Sequence, residues 1–400
     1  MTKHLSFLGN KLTKILDFGM HPFADTFVSE HQLYKSEPVL PLECFVDFES
    51  GLIQLGCISN DYDRYNQYEY SYTSSNSKVS RKHWDDFYNT MCLRFNPNKN
   101  FIIEIGSNDG YLLEKFHTDN TILGIDASKE MVNQCNYKGI RSINEVFNKA
   151  VAVDVRKQYG ICDFIIANNV FNHSNNPIDF AAGVFELLSH DGIFIFEMPY
   201  WGTTVSSGKF DQIYHEHITY FTVKSAYNIL RAAGLTVIDV DFVDYHGGSI
   251  RVTAKKEDSV RLIKKIKELI LLEEFQGLFF PYTYVKWMDK IKSDRIKFLN
   301  KLYKIKEENP NVPIIGVGAA AKANTLLNYY SLNNSVIDYI TDSSPNKQGK
   351  YTPLSRIPIV SDDIFKNYDK VYALILSWNI QDSLKETLSS INSNIEYITL

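Results

Sequence analysis

Cysteine is scarce in this chain and what there is stands apart: Cys44, Cys57, Cys92, Cys135 and Cys162 form no CxxC pair, and their number is odd. That pattern argues against both a disulfide framework and a cysteine zinc site. Long apolar runs are missing too, none approaching the ~18 residues a membrane-spanning helix requires. Met1 to Lys14 is mixed in character and does not read as a leader. The chain is therefore expected to be soluble, unexported and cytoplasmic, with no membrane partner. Positive charge is not in excess, 42 Lys+Arg standing against 47 Asp+Glu with the signs interspersed, so no nucleic-acid partner is expected. What the chain does have is 400 residues at 44% hydrophobic content, which supplies two or three domain cores and excludes general disorder.

The first 80 residues are rich in Tyr, Ser, Asp and Asn, with short apolar runs at Ile15 to Phe18 and Gly51 to Leu55. They read as a small, loop-rich lobe. A helical stretch around His83 to Leu93 leads into the β-forming run Phe101 to Gly106, after which strands (Ile122 to Ile125, Phe164 to Ala167, Gly192 to Glu197) alternate with amphipathic stretches such as Ile178 to Leu188. Alternation of this kind predicts a mostly parallel sheet covered by helices. A helix at Val223 to Ala233 and an antiparallel pair, Thr236 to Val243 with Gly248 to Ala254, follow. Residues 258 to 308 carry a charged helical period broken near Pro281, and Val312 to Val317 then restarts a strand, glycine turn and helix that run to Leu400. The predicted division is 1–80, 81–257 and 258–400, with two Rossmann-like units in tandem.

In Glu104-Ile-Gly106-Ser-Asn108-Asp-Gly110, a strand ends in a turn whose two glycines allow the backbone close to a ligand. Glu104 and Asp109 suit a cationic, amine-bearing ligand better than a pyrophosphate. Asp126 ends the next strand about twenty residues on, where a carboxylate accepts hydrogen bonds from ribose hydroxyls. Asn168 and Asn169 close a third strand at the sheet's carboxyl edge. These cofactor-binding candidates point to S-adenosylmethionine and to a class I methyltransferase domain. The plainer alternative is an ordinary strand-to-helix glycine turn.

Tyr214-His215-Glu216-His217 follows the last of these strands. It is not HExxH, since Thr219 stands four after His215, and no third metal ligand is evident, so no metal is assigned. The chemistry it favours is proton abstraction, with a neutral imidazole as base and the adjacent carboxylate fixing its tautomer. The alternative is that Glu216 caps or salt-bridges locally while the histidines pack. His173 lies just past a strand end, His246 is followed by Gly247 and Gly248, and Tyr68, Tyr70 and Tyr72 alternate as on one strand face.

Leu16-Asp-Phe-Gly-Met-His-Pro-Phe-Ala-Asp, Tyr214-His-Glu-His, His246-Gly-Gly-Ser-Ile-Arg, Gly318-Ala-Ala-Ala-Lys-Ala-Asn and Ser377-Trp-Asn together resemble the nucleotide-sugar C-methyltransferases, which methylate C-3 of a 4-keto deoxysugar. The resemblance runs nearly the whole length. It implies an α/β enzyme of three parts: a small N-terminal lobe, a class I methyltransferase domain of Rossmann-like fold, and a second, C-terminal Rossmann-like domain helping to hold a nucleotide-linked keto-deoxysugar. His217 matches the proposed base, with Tyr214 and Glu216 beside it, and His173 with Tyr70 or Tyr72 near the sugar. His215 and His246 are further substrate-binding candidates. The family's lobe usually binds zinc through two CxxC pairs, whose places here are taken by Leu5, Leu8, Asp47 and Ser50. No zinc is expected, and the lobe must rely on apolar packing and docking.

The second glycine turn, Gly316-Val-Gly318-Ala-Ala-Ala321, fits a dinucleotide fingerprint with Asp342 beyond it. Lys322 and Asn324 at the following helix N-terminus instead suit the diphosphate of a substrate, so no nicotinamide is expected. The competing functional readings are a sugar O-methyltransferase and a non-catalytic nucleotide-sugar scaffold. A monomer is expected.

Overall fold

The computed structural model describes residues 5–60, 64, 73–75, 77–257 and 261–399. Period-two burial sets the lobe: Leu16 and Phe18 in Thr13–Pro22 (β1), and Leu42, Cys44 and Val46 in Val39–Asp47 (β2), point inward while their neighbours face out. β2 pairs antiparallel with β1 and with Leu52–Leu55 (β3). The lobe expected to be loop-rich is thus a sheet. Its short apolar runs conceal it because only every second residue needs to be apolar.

Phe101–Ile105 (β4), Thr121–Asp126 (β5), Ser142–Asn144 (β6), Cys162–Asn168 (β7) and Leu188–Pro199 (β8) alternate with helices. The helix ahead of them spans Lys78–Phe95, longer at both ends than expected, its N-cap Ser77 accepting from Ser80 N. Thr219–Tyr220 (β9) then leaves this domain and pairs with β3, so the lobe assigned to residues 1–80 takes its fourth strand from the catalytic domain. Leu235–Val243 (β10) and Ser249–Lys256 (β11) form the predicted hairpin, but it extends the central sheet, β11 lying antiparallel to β8. The order is β10-β11-β8-β7-β4-β5-β6. Connections diverge between β4 and β7, and the crevice beyond their carboxyl ends is where such sheets bind ligands.

Helices Lys264–Phe275 and Pro281–Glu308 follow, the second with proline in its first turn, where a missing N–H costs nothing. Ile314–Val317 (β12), Tyr339–Thr341 (β13), Ile359–Val360 (β14), Val371–Ile375 (β15) and Ile395–Ile398 (β16) make a parallel sheet ordered β14-β13-β12-β15-β16. One apolar cluster runs from the lobe through Trp201, Tyr284 and Trp287 to Leu326 and Ile340, so lobe and C-terminal domain share a core. Trp201 Nε1 donates to Tyr284 Oη at 3.0 Å, satisfying the polar atom of its fully buried ring.

The place of the zinc-binding thiolates holds a hydrogen-bonded hub. Asp47 is fully buried. Its Oδ2 accepts from Ser6 Oγ at 2.8 Å, Asn10 Nδ2 at 3.0 Å and Ser50 Oγ at 2.5 Å. Its Oδ1 accepts from the backbone N–H groups of Glu49 and Ser50. A carboxylate with five donors ties the stretch from Ser6 to Asn10 to the stretch from Asp47 to Ser50, as a metal would. Among the described residues, no group of three or more His, Cys, Asp or Glu is arranged to hold a metal ion. None of the described helices is long and apolar enough to cross a membrane.

Candidate active site

The first glycine turn opens on a cavity lined by Glu104, Gly106, Asn108, Asp126, Asn168, Asn169 and His173, with Phe147 and Trp84 as apolar walls. Several of its buried polar atoms have no hydrogen-bond partner: Glu104 Oε2, both amide atoms of Asn168 and Asn169 Nδ2. Buried polar groups rarely stay unpaired, and this set offers acceptors and donors suited to a ligand bearing an amine and hydroxyls. Burial, with the fields of Asp109 and Asp126, raises the Glu104 carboxyl well above its usual range, so a bound cation would restore its charge. Asp126 Oδ2 accepts from Asn108 N and Oδ1 from Ser128 N, both at 2.8 Å, leaving each oxygen a lone pair for a ribose hydroxyl.

Two expectations about this turn change. Gly110 does not line the cavity. A Cβ there would meet Cys135 Sγ and Ile140 at 2.8 Å, and its φ of +79° starts the helix Tyr111–Glu114, so glycine serves packing and turn geometry. Asp109 is not free for an amine, its carboxylate accepting from Ser74 Oγ at 2.5 Å and from Ser75 Oγ. Asp126→Ala is expected to weaken S-adenosylmethionine binding by about 1–3 kcal/mol with the fold retained. Unchanged affinity in calorimetry would refute the placement of the adenosine.

His217 is buried beside this cavity. Its ring lies 5.1 Å from His173, a cavity wall residue, and 4.0 Å from Tyr214, with Tyr220 edge-on at 6.0 Å. Burial lowers its imidazole to about 4, so it is neutral near pH 7 and able to accept a proton. The tautomer is fixed differently from the expectation: His217 Nδ1 meets the carbonyl oxygen of Gln212 at 3.0 Å, which makes Nδ1 the donor and leaves the Nε2 lone pair as the base. Glu216 turns toward the lobe, where its Oε1 accepts from Asp25 N at 3.3 Å. Its Oε2 is buried without a partner, and burial, reinforced by Asp25, raises the carboxyl to about 7. Burial first, then His217 and Arg64, holds His173 well below the usual imidazole range.

His215 leaves the substrate side altogether. It is 1% exposed, its Nε2 meets the Pro41 carbonyl at 3.2 Å, and its ring packs edge-on to Phe23, making it a strut between the motif and the lobe. Asn324 is likewise withdrawn from the expected diphosphate: its Nδ2 donates to the Ala24 carbonyl at 2.5 Å. Lys322 packs on Trp378. Its ammonium sits 4.5 Å from the Trp378 ring, bonds Asn379, and is lowered to about 8 by burial against the partly offsetting field of Asp211. Tyr70 and Tyr72 lie outside the described residues. The second glycine turn is filled by its own chain: Ser377 occupies the space a Gly318 Cβ would need, and Lys347 Nζ donates to the Ala319 carbonyl at 2.8 Å.

A seven-stranded sheet of this order, with an acidic glycine turn and a carboxylate after the second strand, defines an S-adenosylmethionine-dependent methyltransferase. Residues 76–240 match a family described as "Methyltransferase domain", and residues 244–399 match one described as "C-methyltransferase C-terminal domain". The C-methyltransferase NovU of Streptomyces niveus is 27% identical over 383 residues, covering 94% of this chain and 90% of NovU. Over most of its length the chain is thus similar to a C-methyltransferase. Among solved structures, the magnesium protoporphyrin IX methyltransferase ChlM of Synechocystis PCC 6803, solved with bound SAM, is 13% identical. It aligns over 44% of this chain and 79% of its own, with a TM-score of 0.34. A putative S-adenosylmethionine-dependent methyltransferase from Listeria monocytogenes is 14% identical, over 45% of this chain and 100% of its own, with a TM-score of 0.36.

Proposed function

We propose that the enzyme methylates the carbon beside the ketone, C-3, of a nucleotide-linked 4-keto deoxysugar, with His217 as the base. The observation that carries this reading is the position of a neutral imidazole one ring away from the cofactor cavity, with His173 between. A C–H next to a ketone is acidic enough for such a base once the enolate oxygen is stabilised. His217 Nε2 takes the proton, and the C–H electron pair moves into the enolate. The Tyr214 hydroxyl is the assigned donor to the enolate oxygen, now that His215 faces the lobe. S-adenosylmethionine, when bound, supplies an electrophilic methyl group, and alignment in a closed site supplies much of the rate.

Nucleotide and diphosphate are assigned to the C-terminal side of the cleft. A groove of 410 Å³ beside Trp378, walled by Lys209, Phe210, Trp287 and Tyr330, combines cations with aromatic faces and suits a nucleoside. His246 and Lys322 lie between it and the base. Incubation with ¹³C-methyl S-adenosylmethionine and a panel of 4-keto nucleotide sugars, read by NMR, is expected to give a carbon-bound label adjacent to the carbonyl carbon. An oxygen-bound label would make the enzyme an O-methyltransferase, and no turnover with any of the panel would count against the sugar reading.

A further inference from the structure

The turn that carries Gln212 cannot hold its own shape. Phe210–Gln212 is a single 3₁₀ turn, closed within itself by the bond from Ile213 N to the Phe210 carbonyl. A helix this short has too few internal bonds to offset the cost of ordering it, so its geometry is set by what surrounds it. Asp211, buried, accepts at Oδ2 from Trp378 Nε1 at 2.6 Å, and the Ile213 carbonyl accepts from Thr325 Oγ1 at 3.0 Å. Both donors belong to the C-terminal domain, Trp378 just past β15 and Thr325 on the helix Ala321–Tyr329. Phe210 packs against Tyr329 and Tyr330 at the end of that helix, with ring centroids 5.3 and 5.9 Å apart.

Between Asp211 and Ile213 lies the partner of the base. The Gln212 carbonyl accepts from His217 Nδ1 at 3.0 Å, and the Gln212 side chain is itself held, Nε2 donating to the His246 carbonyl at 3.1 Å. His246, Gly247 and Gly248 run through positive φ values of 52°, 83° and 113°. The bend they make brings Gly247 against Trp378, where a Cβ would meet the ring at 2.4 Å. The C-terminal domain therefore reaches Gln212 through both of its neighbours in the chain, and its side chain through the hairpin. Burial raises the Asp211 carboxyl, and Lys322, the Trp378 N–H and Lys209 oppose the rise. A charge-assisted bond of this kind is among the strong ones, and an interior carboxylate that loses its donor is left uncompensated.

We propose that Trp378 and Thr325 are positioning residues for the catalytic base, through which the C-terminal domain sets the Gln212 carbonyl and with it the ring of His217. The inference rests on the role given to His217 above, and it gives the C-terminal domain a part in the chemistry besides the nucleotide binding proposed for it. Trp378→Phe keeps an aromatic wall on the groove and removes the donor to Asp211. Thr325→Val keeps the size of a side chain outside the groove wall and removes the donor to Ile213. Misplacing a catalytic group by about 1 Å can cost about 10²-fold, so both variants are expected to lower kcat by about tenfold or more, with sugar-nucleotide KM and S-adenosylhomocysteine affinity within about threefold of wild type. ¹⁵N-histidine NMR of the ligand-free chain reads the ring itself. The His217 signal, identified by its loss in His217→Gln, should report the Nδ1–H tautomer in wild type and a mixture of both tautomers in each variant. A lowered Tm with kcat and the His217 signal as in wild type would mean that these contacts only join the domains, and would overturn the proposal. A rise confined to KM in Trp378→Phe, with Thr325→Val unchanged, would overturn it too. A changed His217 signal alongside full turnover by His217→Gln would uphold the positioning of the ring and remove its role as the base.

Discussion

His217→Gln is expected to keep S-adenosylmethionine and substrate bound while losing about 10³-fold in kcat. General-base catalysis is typically worth 10²–10⁴-fold, and glutamine can hydrogen-bond but cannot take a proton. The pH dependence follows from the same burial. The imidazole of the free enzyme is lowered to about 4, so it remains an unprotonated base well below the 6.5 of an ordinary histidine. As pH falls, the base is lost only when protonation reaches it near 4, and that component of the acid limb of kcat/KM should lie there. Glu216, raised to about 7, changes charge in a separate window. It becomes neutral as pH falls through 7, and an inflection there should disappear in Glu216→Gln. Turnover of His217→Gln within tenfold of wild type would refute the assignment of the base.

Asp47→Ala is the substitution expected to damage the lobe most. It removes the acceptor for Ser6, Asn10 and Ser50 together, leaving donors stranded at a fully buried position. Hydrogen bonds to a charged group are worth about 1.5–3 kcal/mol each and are not additive, so a local loss of about 3 kcal/mol is expected. Hydrogen exchange of the β1 and β2 amides should then quicken by about two orders of magnitude, while the C-terminal sheet changes little. A chelator should leave the wild-type lobe's exchange unaltered. Unchanged exchange in Asp47→Ala, or a lobe that loosens on chelation, would contradict the hub.

The catalytic domain was legible because each of its signals is local. A strand, a glycine turn and a helix follow one another within a dozen residues around Gly106, and Asp126 ends the next strand. Contacts between distant segments left no such trace. β9 joins the lobe through Ile53 and Tyr220, and nothing in Thr219-Tyr220 marks it as an edge of that sheet. The Asp47 hub is built from Ser6, Asn10 and Ser50, residue types that read as ordinary loop. Within the Tyr214-His-Glu-His motif, adjacency in sequence was misleading. The turn closed by His217 N on the Tyr214 carbonyl sends Glu216 and His215 toward the lobe and leaves His217 to Gln212, five residues earlier. Gly110 and Asn324, expected from the sequence to meet ligands, serve packing and domain docking instead.

The central claim is that His217 removes a proton from carbon, and solvent exchange reads that step without methyl transfer. A 4-keto nucleotide sugar is incubated in heavy water with wild-type enzyme and S-adenosylhomocysteine, so that the site is filled but no methyl group is available. The NMR signal of the proton at C-3 is expected to disappear with wild type and to persist with His217→Gln. Persistence with wild type under conditions where the same sample methylates the sugar, or equal loss with the variant, would contradict it.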